Sequence, residues 1–206
     1  MINTVIFDYN GTLVNDTEKM AKLFSNALEK AGLEPITLTE FSNNFALPVS
    51  RFASNLGLNK TQKKEVVQNF INEWKKYKDK TPLYENTKEI LKYLRDNDIK
   101  IIILTAYLPE PLEKELKENK INQFIDEIIC DGNKLGAITN FFKDNNLKPG
   151  ESLCVGDANF DIECGKNSGM ITVGFTGGYV PKERLAKSEP DYLIDNLSEI
   201  KNIIEN

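Results

Sequence analysis

Five short apolar runs punctuate the chain: Thr4 to Phe7, Ile99 to Leu104, Ile128 to Cys130, Ser152 to Val155 and Ile171 to Phe175. They are rich in β-branched residues and alternate little, the pattern of strands buried on both faces of a parallel sheet. Between them the period changes to that of helices: Ile90, Leu91 and Leu94 recur at helical spacing within Asn86 to Asn97, and Leu112 to Lys120 and Ala137 to Asn145 also read as helices. Strands alternating with helices predict an α/β core built on a doubly wound, Rossmann-like parallel sheet.

Residues 15–81 break this alternation. Met20, Leu23, Phe24, Ala27, Leu28 and Ala31 mark one face of a helix that Asp16 would cap and Gly32 would end. Thr39 to Leu56 predicts one or two shorter helices broken near Pro48. Val66, Val67, Phe70, Ile71, Trp74 and Tyr77 predict a long amphipathic helix, whose aromatic stripe is expected to serve packing rather than ligand binding. With a domain averaging about 150 residues, a chain of 206 has room for one core and a small insertion. The expected division is therefore an α/β core of residues 1–14 and 82–206, with a small all-α cap at 15–81 after the first strand.

Composition narrows the chemistry. The chain has 31 acidic and 26 basic residues, a net charge of −5, and no histidine. A Ser-His-Asp or Cys-His site, an imidazole base and a His-ligated zinc are all excluded. What remains is carboxylates, lysine, hydroxyls, backbone and a hard metal ion. Net acidity without a basic stripe argues against nucleic acid or an anionic membrane as the main partner. No apolar run reaches the roughly 18 residues of a membrane span, and no basic region opens the chain, so a cytoplasmic protein is expected. Cys130, Cys154 and Cys164 lack C-x-x-C spacing and are expected to be reduced, buried small hydrophobes.

Ligands of doubly wound sheets bind beyond the carboxyl ends of the strands, which directs attention to Asp8, Thr105 and Asp157. Asp8 is followed by Tyr9-Asn10-Gly11-Thr12-Leu13, where the glycine permits a tight turn exposing amides toward an anion. Asp157 and Asp161 stand four positions apart and could share a face at a helix N-terminus. Carboxylates and backbone carbonyls without His or Cys ligands describe a Mg²⁺ site rather than a zinc site. There is neither a G-x-G-x-x-G after the first strand nor a G-x-x-x-x-G-K-[ST] loop, so dinucleotide and ATP binding are disfavoured.

Taken in order, these motifs resemble the haloacid dehalogenase superfamily of phosphohydrolases, specifically its phosphoglycolate-phosphatase-like branch with a helical type-one cap. The family's Asp-x-Asp-Gly-Thr-Leu stands here as Asp8 to Leu13, its strand-closing Thr or Ser as Thr105, and its lysine as Lys134. Its fourth motif is Gly156-Asp157 with Asp161, running on through Gly165 to Gly169. The resemblance covers essentially the whole chain. The 29 positions from Thr105 to Lys134 leave no room for the larger α+β cap some members carry there.

The resemblance implies Mg²⁺-dependent hydrolysis of a small phosphorylated metabolite. Asp8 would attack phosphorus and form an aspartyl-phosphate; Asp8, the carbonyl of Asn10 and Asp157 would hold the metal, with Asp161 supporting it. Thr105 and Lys134 would bind the transferring phosphoryl oxygens, with Gly11, Thr12 and Ala106 in the phosphate-binding loops. Arg51, one of three arginines, would read an anionic part of the substrate or serve only as a solvated helix charge. The resemblance carries no rule for the substrate's identity or the oligomeric state.

One position departs from the pattern. Asn10 stands where phosphatases of the family have the aspartate that protonates the leaving oxygen and then activates water. An amide does neither, and such acid-base help is worth about a hundredfold to ten-thousandfold in rate. Asn10 therefore fits a substituted variant, a natural slow or non-phosphatase member, or an Asn-Gly pair that deamidates to Asp. A non-catalytic or phospho-accepting module, using Asp8 as a receiver aspartate, is the alternative; the helical insertion argues against it. Dehalogenases depart here with Tyr and lack a metal-binding fourth motif, so Asp157 and Asp161 argue against that branch.

Overall fold

The computed structural model describes residues 1–76 and 81–205. Six parallel strands form one sheet: β1 (Thr4–Phe7), β2 (Lys100–Thr105), β3 (Glu127–Cys130), β4 (Ser152–Gly156), β5 (Ile171–Phe175) and β6 (Tyr192–Ile194), in the order β3-β2-β1-β4-β5-β6. All five predicted runs are strands. β6 was not anticipated: it is a three-residue edge strand with Tyr192 and Leu193 exposed, too short and too open to leave a hydrophobic pattern.

Strand residues alternate between two layers, as a period of two requires. Val5 and Phe7 pack with Ile101, Ile103, Leu153 and Val155 on one face. Helices α5 (Thr87–Asp96) and α6 (Pro109–Glu118) cover that side through Ile90, Leu94, Leu112 and Leu116. Ile6, Ile102 and Cys154 point to the other face, toward α7 (Lys134–Asn145) and α8 (Asn159–Asn167). α6 starts at Pro109 and α7 at Lys134, each three residues before the apolar pattern begins. Pro109 suits a first helical turn, and the Asn133 side chain accepts from the Gly136 N–H to cap α7.

Four helices lie between β1 and α5: α1 (Thr17–Lys30), α2 (Leu38–Asn44), α3 (Val49–Asn55) and α4 (Lys60–Lys76). The break at Pro48 falls between α2 and α3. These helices share an aromatic centre, with Phe24 stacked on Phe70 at 4.1 Å between centroids and meeting Phe52 edge-on at 4.6 Å. Burying each such ring contributes roughly 1.5–3 kcal/mol. Tyr77 of the predicted stripe lies outside the described residues. The chain crosses between sheet and insertion through two adjacent segments, where Asn15 N–H donates to Pro82 O and Tyr84 N–H to Leu13 O.

Asp16 occupies the N-cap position of α1, but its side chain makes no capping bond there. It is engaged elsewhere, as described below. The three cysteines are free thiols. Among the described residues no helix is long and apolar enough to cross a membrane.

Candidate active site

The strand order reverses at β1, which is flanked by β2 and β4, so the loops after these three strands open into one crevice. Asp8 directly follows β1, and its N–H donates to Val155 O, extending the sheet ladder by one bond. Lys134 opens α7 and is 1 % exposed. Its Nζ donates to Asp8 Oδ1 and to Asp161 Oδ1, 2.7 Å in each case. Asp157 accepts from the Thr12 hydroxyl on one oxygen (2.8 Å) and from the Tyr179 N–H on the other (2.7 Å). Asp161 sits in the first turn of α8, where its Oδ2 accepts from the Ala158 N–H. Asp157 precedes that helix, so the two carboxylates converge from a loop and a helix rather than along one helical face.

Glycines make the convergence possible. Gly11 has φ +77°, and a Cβ there would lie 2.5 Å from Asp157 Oδ2. At Gly178 a Cβ would fall 2.2 Å from the Asp157 Cβ. Both loops therefore press bare backbone against Asp157.

Asp8, Asp157 and Asp161 each place a carboxylate oxygen within 4.8 Å of the others. Three carboxylates against one ammonium, if all were ionised, would leave two negative charges in a buried space. Burial raises the Asp8 carboxyl to about 7 despite the pull of Lys134. Burial, reinforced by the charges of Asp8 and Asp161, raises Asp157 well above the usual carboxylate range. Burial works to lower Lys134, but the facing Asp161 and Asp8 carboxylates outweigh it and hold its ammonium above its ordinary range. An all-oxygen donor set short of two positive charges fits a hard divalent cation.

Asn10 is held by a residue that sequence reasoning assigned to helix capping. Asp16, 2 % exposed, accepts from Asn10 Nδ2 (2.7 Å), Gly11 N–H (3.0 Å) and the Tyr179 hydroxyl (2.8 Å). Burial raises its carboxyl to about 6, against the lowering effect of Tyr179 and Asn10. An acceptor-only carboxylate fixes the amide's orientation: Nδ2 faces Asp16, and Oδ1 is left as the acceptor facing away. The Gly11 amide does meet an anion, as its turn suggested, but the anion is the chain's own Asp16.

A cavity of about 100 Å³ lies over these groups. Asp8, Asn10, Thr105, Ala106, Lys134, Asp157 and Asp161 border it, together with Tyr107 and Tyr179. The Thr105 hydroxyl oxygen accepts from the Tyr107 N–H at 3.1 Å, keeping the side chain at the strand end. The opposite wall comes from the insertion: Met20, Phe24, Phe45, Leu47, Val49, Phe70 and Trp74. Phe70 and Trp74 thus both pack and line the cavity, beyond the packing role expected of them. Gly11 and Thr12 do not border it, and Arg51 lies in a separate groove with Arg184 and Lys187. A larger, open depression of about 660 Å³ near Pro82, Tyr84 and Asn119 holds none of these residues.

Asp16, Tyr107 and Tyr179 escaped sequence reasoning. Tyr107 and Tyr179 follow β2 and β5 at their carboxyl ends, the signal that would have flagged them. Tyr107 and Tyr9 share the buried Glu115, which accepts from both hydroxyls at 2.8 and 3.1 Å.

The chain is 26% identical to pyrophosphatase PpaX of Listeria welshimeri over 215 residues, covering 98% of this chain and 96% of the relative. Its structure matches a haloacid dehalogenase-like family hydrolase of Streptococcus pneumoniae with a TM-score of 0.86 at 21% identity, over 98% of both chains. It also matches a predicted phosphoglycolate phosphatase of Haemophilus somnus with a TM-score of 0.79 at 23% identity, over 98% of this chain and 97% of that one. Residues 5–175, spanning all four motifs, match the haloacid dehalogenase-like hydrolase family, and the chain belongs to that family of enzymes.

Proposed function

We propose that the protein is a Mg²⁺-dependent phosphatase of small phosphorylated metabolites, working through an aspartyl-phosphate on Asp8. The observation that carries this reading is the convergence of Asp8, Asp157, Asp161 and Lys134 on one buried point beneath a cavity. Asp8, Asp157 and the carbonyl of Asn10 would hold the metal with Asp161 in support; when bound, it supplies the positive charge that lets a phosphate approach these carboxylates.

Lys134 holds Asp8 Oδ1 and so orients the carboxylate whose oxygen would attack phosphorus. The Oδ–P bond forms as the P–O bond to the leaving group breaks. Lys134 and Thr105 bind the transferring oxygens. Water then attacks phosphorus, the acyl-phosphate bond breaks, and Asp8 is regenerated. The Asn10 Oδ1, turned from Asp16, accepts a hydrogen bond from water but takes no proton, so both steps run without a carboxylate general acid-base at position 10. Residues 15–81 act as a cap closing over the core of residues 1–14 and 82–206.

The test is phosphate release from p-nitrophenyl phosphate with Mg²⁺. Asp8→Asn is expected to remove it by about ten-thousandfold or more; unchanged turnover in that variant overturns the assignment. The second reading, a phospho-accepting module, is favoured by Asn10 alone. A stable acid-labile phosphate on Asp8 with no phosphate released would establish it.

A further inference from the structure

The cavity is chemically two-sided. Every insertion residue on its wall, from Met20 and Phe24 on α1 through Leu47 to Phe70 and Trp74 on α4, is apolar apart from one indole N–H. Among the described residues bordering it, Lys134 is the only cation, and its ammonium is already between Asp8 and Asp161. Arg51, Arg184 and Lys187 border a different groove, partitioned off by Phe45, Leu47 and Ala158, which line both spaces. Arg184 is anchored on the outer side by donating to the Ser42 and Phe45 carbonyls.

A phosphoryl group placed on Asp8 directs the rest of its substrate toward the apolar wall. A charged leaving group there would lose its water with no cation to replace it, which is strongly unfavourable. An uncharged apolar group gains by the same burial. The small volume, about 100 Å³, favours a compact group.

Resting on the phosphatase reading above, we propose that the substrate is a phosphate monoester of a small uncharged alcohol, aromatic or aliphatic. Substrates whose leaving group is itself charged, such as inorganic pyrophosphate and phosphoglycolate, are discriminated against. In the net reaction the P–O bond to the alcohol breaks, water supplies the oxygen that completes inorganic phosphate, and its proton goes to the alcohol.

The experiment compares kcat/KM of the full chain with Mg²⁺ on phenyl phosphate, butyl phosphate, pyrophosphate and phosphoglycolate. A preference of at least about tenfold for the first two is expected; equal or better turnover of the charged pair overturns the proposal. Leu47→Lys, which introduces a cation on the half-buried wall, is expected to shift the ratio toward pyrophosphate, with an unchanged melting temperature reporting the fold. Calorimetric titration of uncleavable phenylphosphonate and phosphonoacetate onto the wild-type chain separates this proposal from the phosphatase reading. If no ester is hydrolysed, the phosphatase reading fails, while tighter phenylphosphonate binding still supports the apolar site and equal or tighter phosphonoacetate binding rejects it.

Discussion

The floor and the roof of the cavity are built by opposite rules. The floor, at the carboxyl ends of β1, β2 and β4, crowds three carboxylates around one lysine, each held by hydrogen bonds to glycine-rich loops and helix starts. The roof, on α1, α3, α4 and the loop before α3, is a continuation of the insertion's own aromatic core. The floor is electrostatically frustrated, whereas the roof is well packed. On the reading proposed above, reaction type resides in one half of the site and substrate choice in the other.

The sharpest break in this contrast is at Asn10. Replacing it by Asp restores a carboxyl group at the floor and is expected to raise phosphate release by about a hundredfold to ten-thousandfold. A flat or lower rate would show that the amide, clamped by Asp16, is not a catalytic lesion. Lys134→Ala leaves Asp8 and Asp161 buried without their ammonium, a loss of about 3–5 kcal/mol in the metal-free protein. Added Mg²⁺ should raise the melting temperature of that variant more than that of the parent. On the roof, Phe24→Ala removes a fully buried ring from the Phe52–Phe70 cluster and should cost about 3–5 kcal/mol in urea unfolding. It should do so without altering Mg²⁺ affinity, since no ligand carboxylate is touched.

A smaller effect tests the join between the halves. The Asp16 carboxyl is raised from 3.8 to about 6 in the folded chain, so the folded state holds that proton more tightly than the unfolded state. Its contribution to stability is full below pH 3.8 and is lost as pH rises through about 6. In metal-free protein, the stability of the parent relative to Asp16→Asn should therefore decline by on the order of 3 kcal/mol across that window. A difference that stays level with pH would show that Asp16 is not titrating there. The same variant presents an amide to Asn10, so Asn10 should turn its oxygen toward residue 16 and its nitrogen toward the cavity, a change visible in a crystal structure's hydrogen-bond network.

Much of the molecule was readable before folding was considered. The parallel sheet followed from five apolar runs, and the two long helices of the insertion from 3.6-residue periodicity, with one or two shorter helices between them, because both patterns are local consequences of burying one or two faces. Asp8, Thr105 and Asp157 were identifiable because ligands of such sheets gather at strand ends, and each directly closes or follows a strand, whereas Lys134 was identifiable only through the family resemblance. Asp16 stands at the N-cap of α1 as the sequence predicts, but its side chain bonds elsewhere, because one carboxylate at a helix start has two possible uses and the choice depends on whether a partner approaches from elsewhere. Tyr179 is that partner, 163 positions away. β6 was hidden because a three-residue edge strand with two exposed residues carries no period.

The sequence alone determined the fold class, the run of helices after the first strand and which carboxylates are candidates for chemistry, since these follow from periodicity and order along the chain. Only the tertiary structure decided that Lys134 lies between Asp8 and Asp161, that Asp16 sets the orientation of Asn10, that Arg51 stands outside the cavity and that its roof is apolar. Those facts depend on side-chain direction and on distances between residues far apart in the chain, which no local pattern encodes.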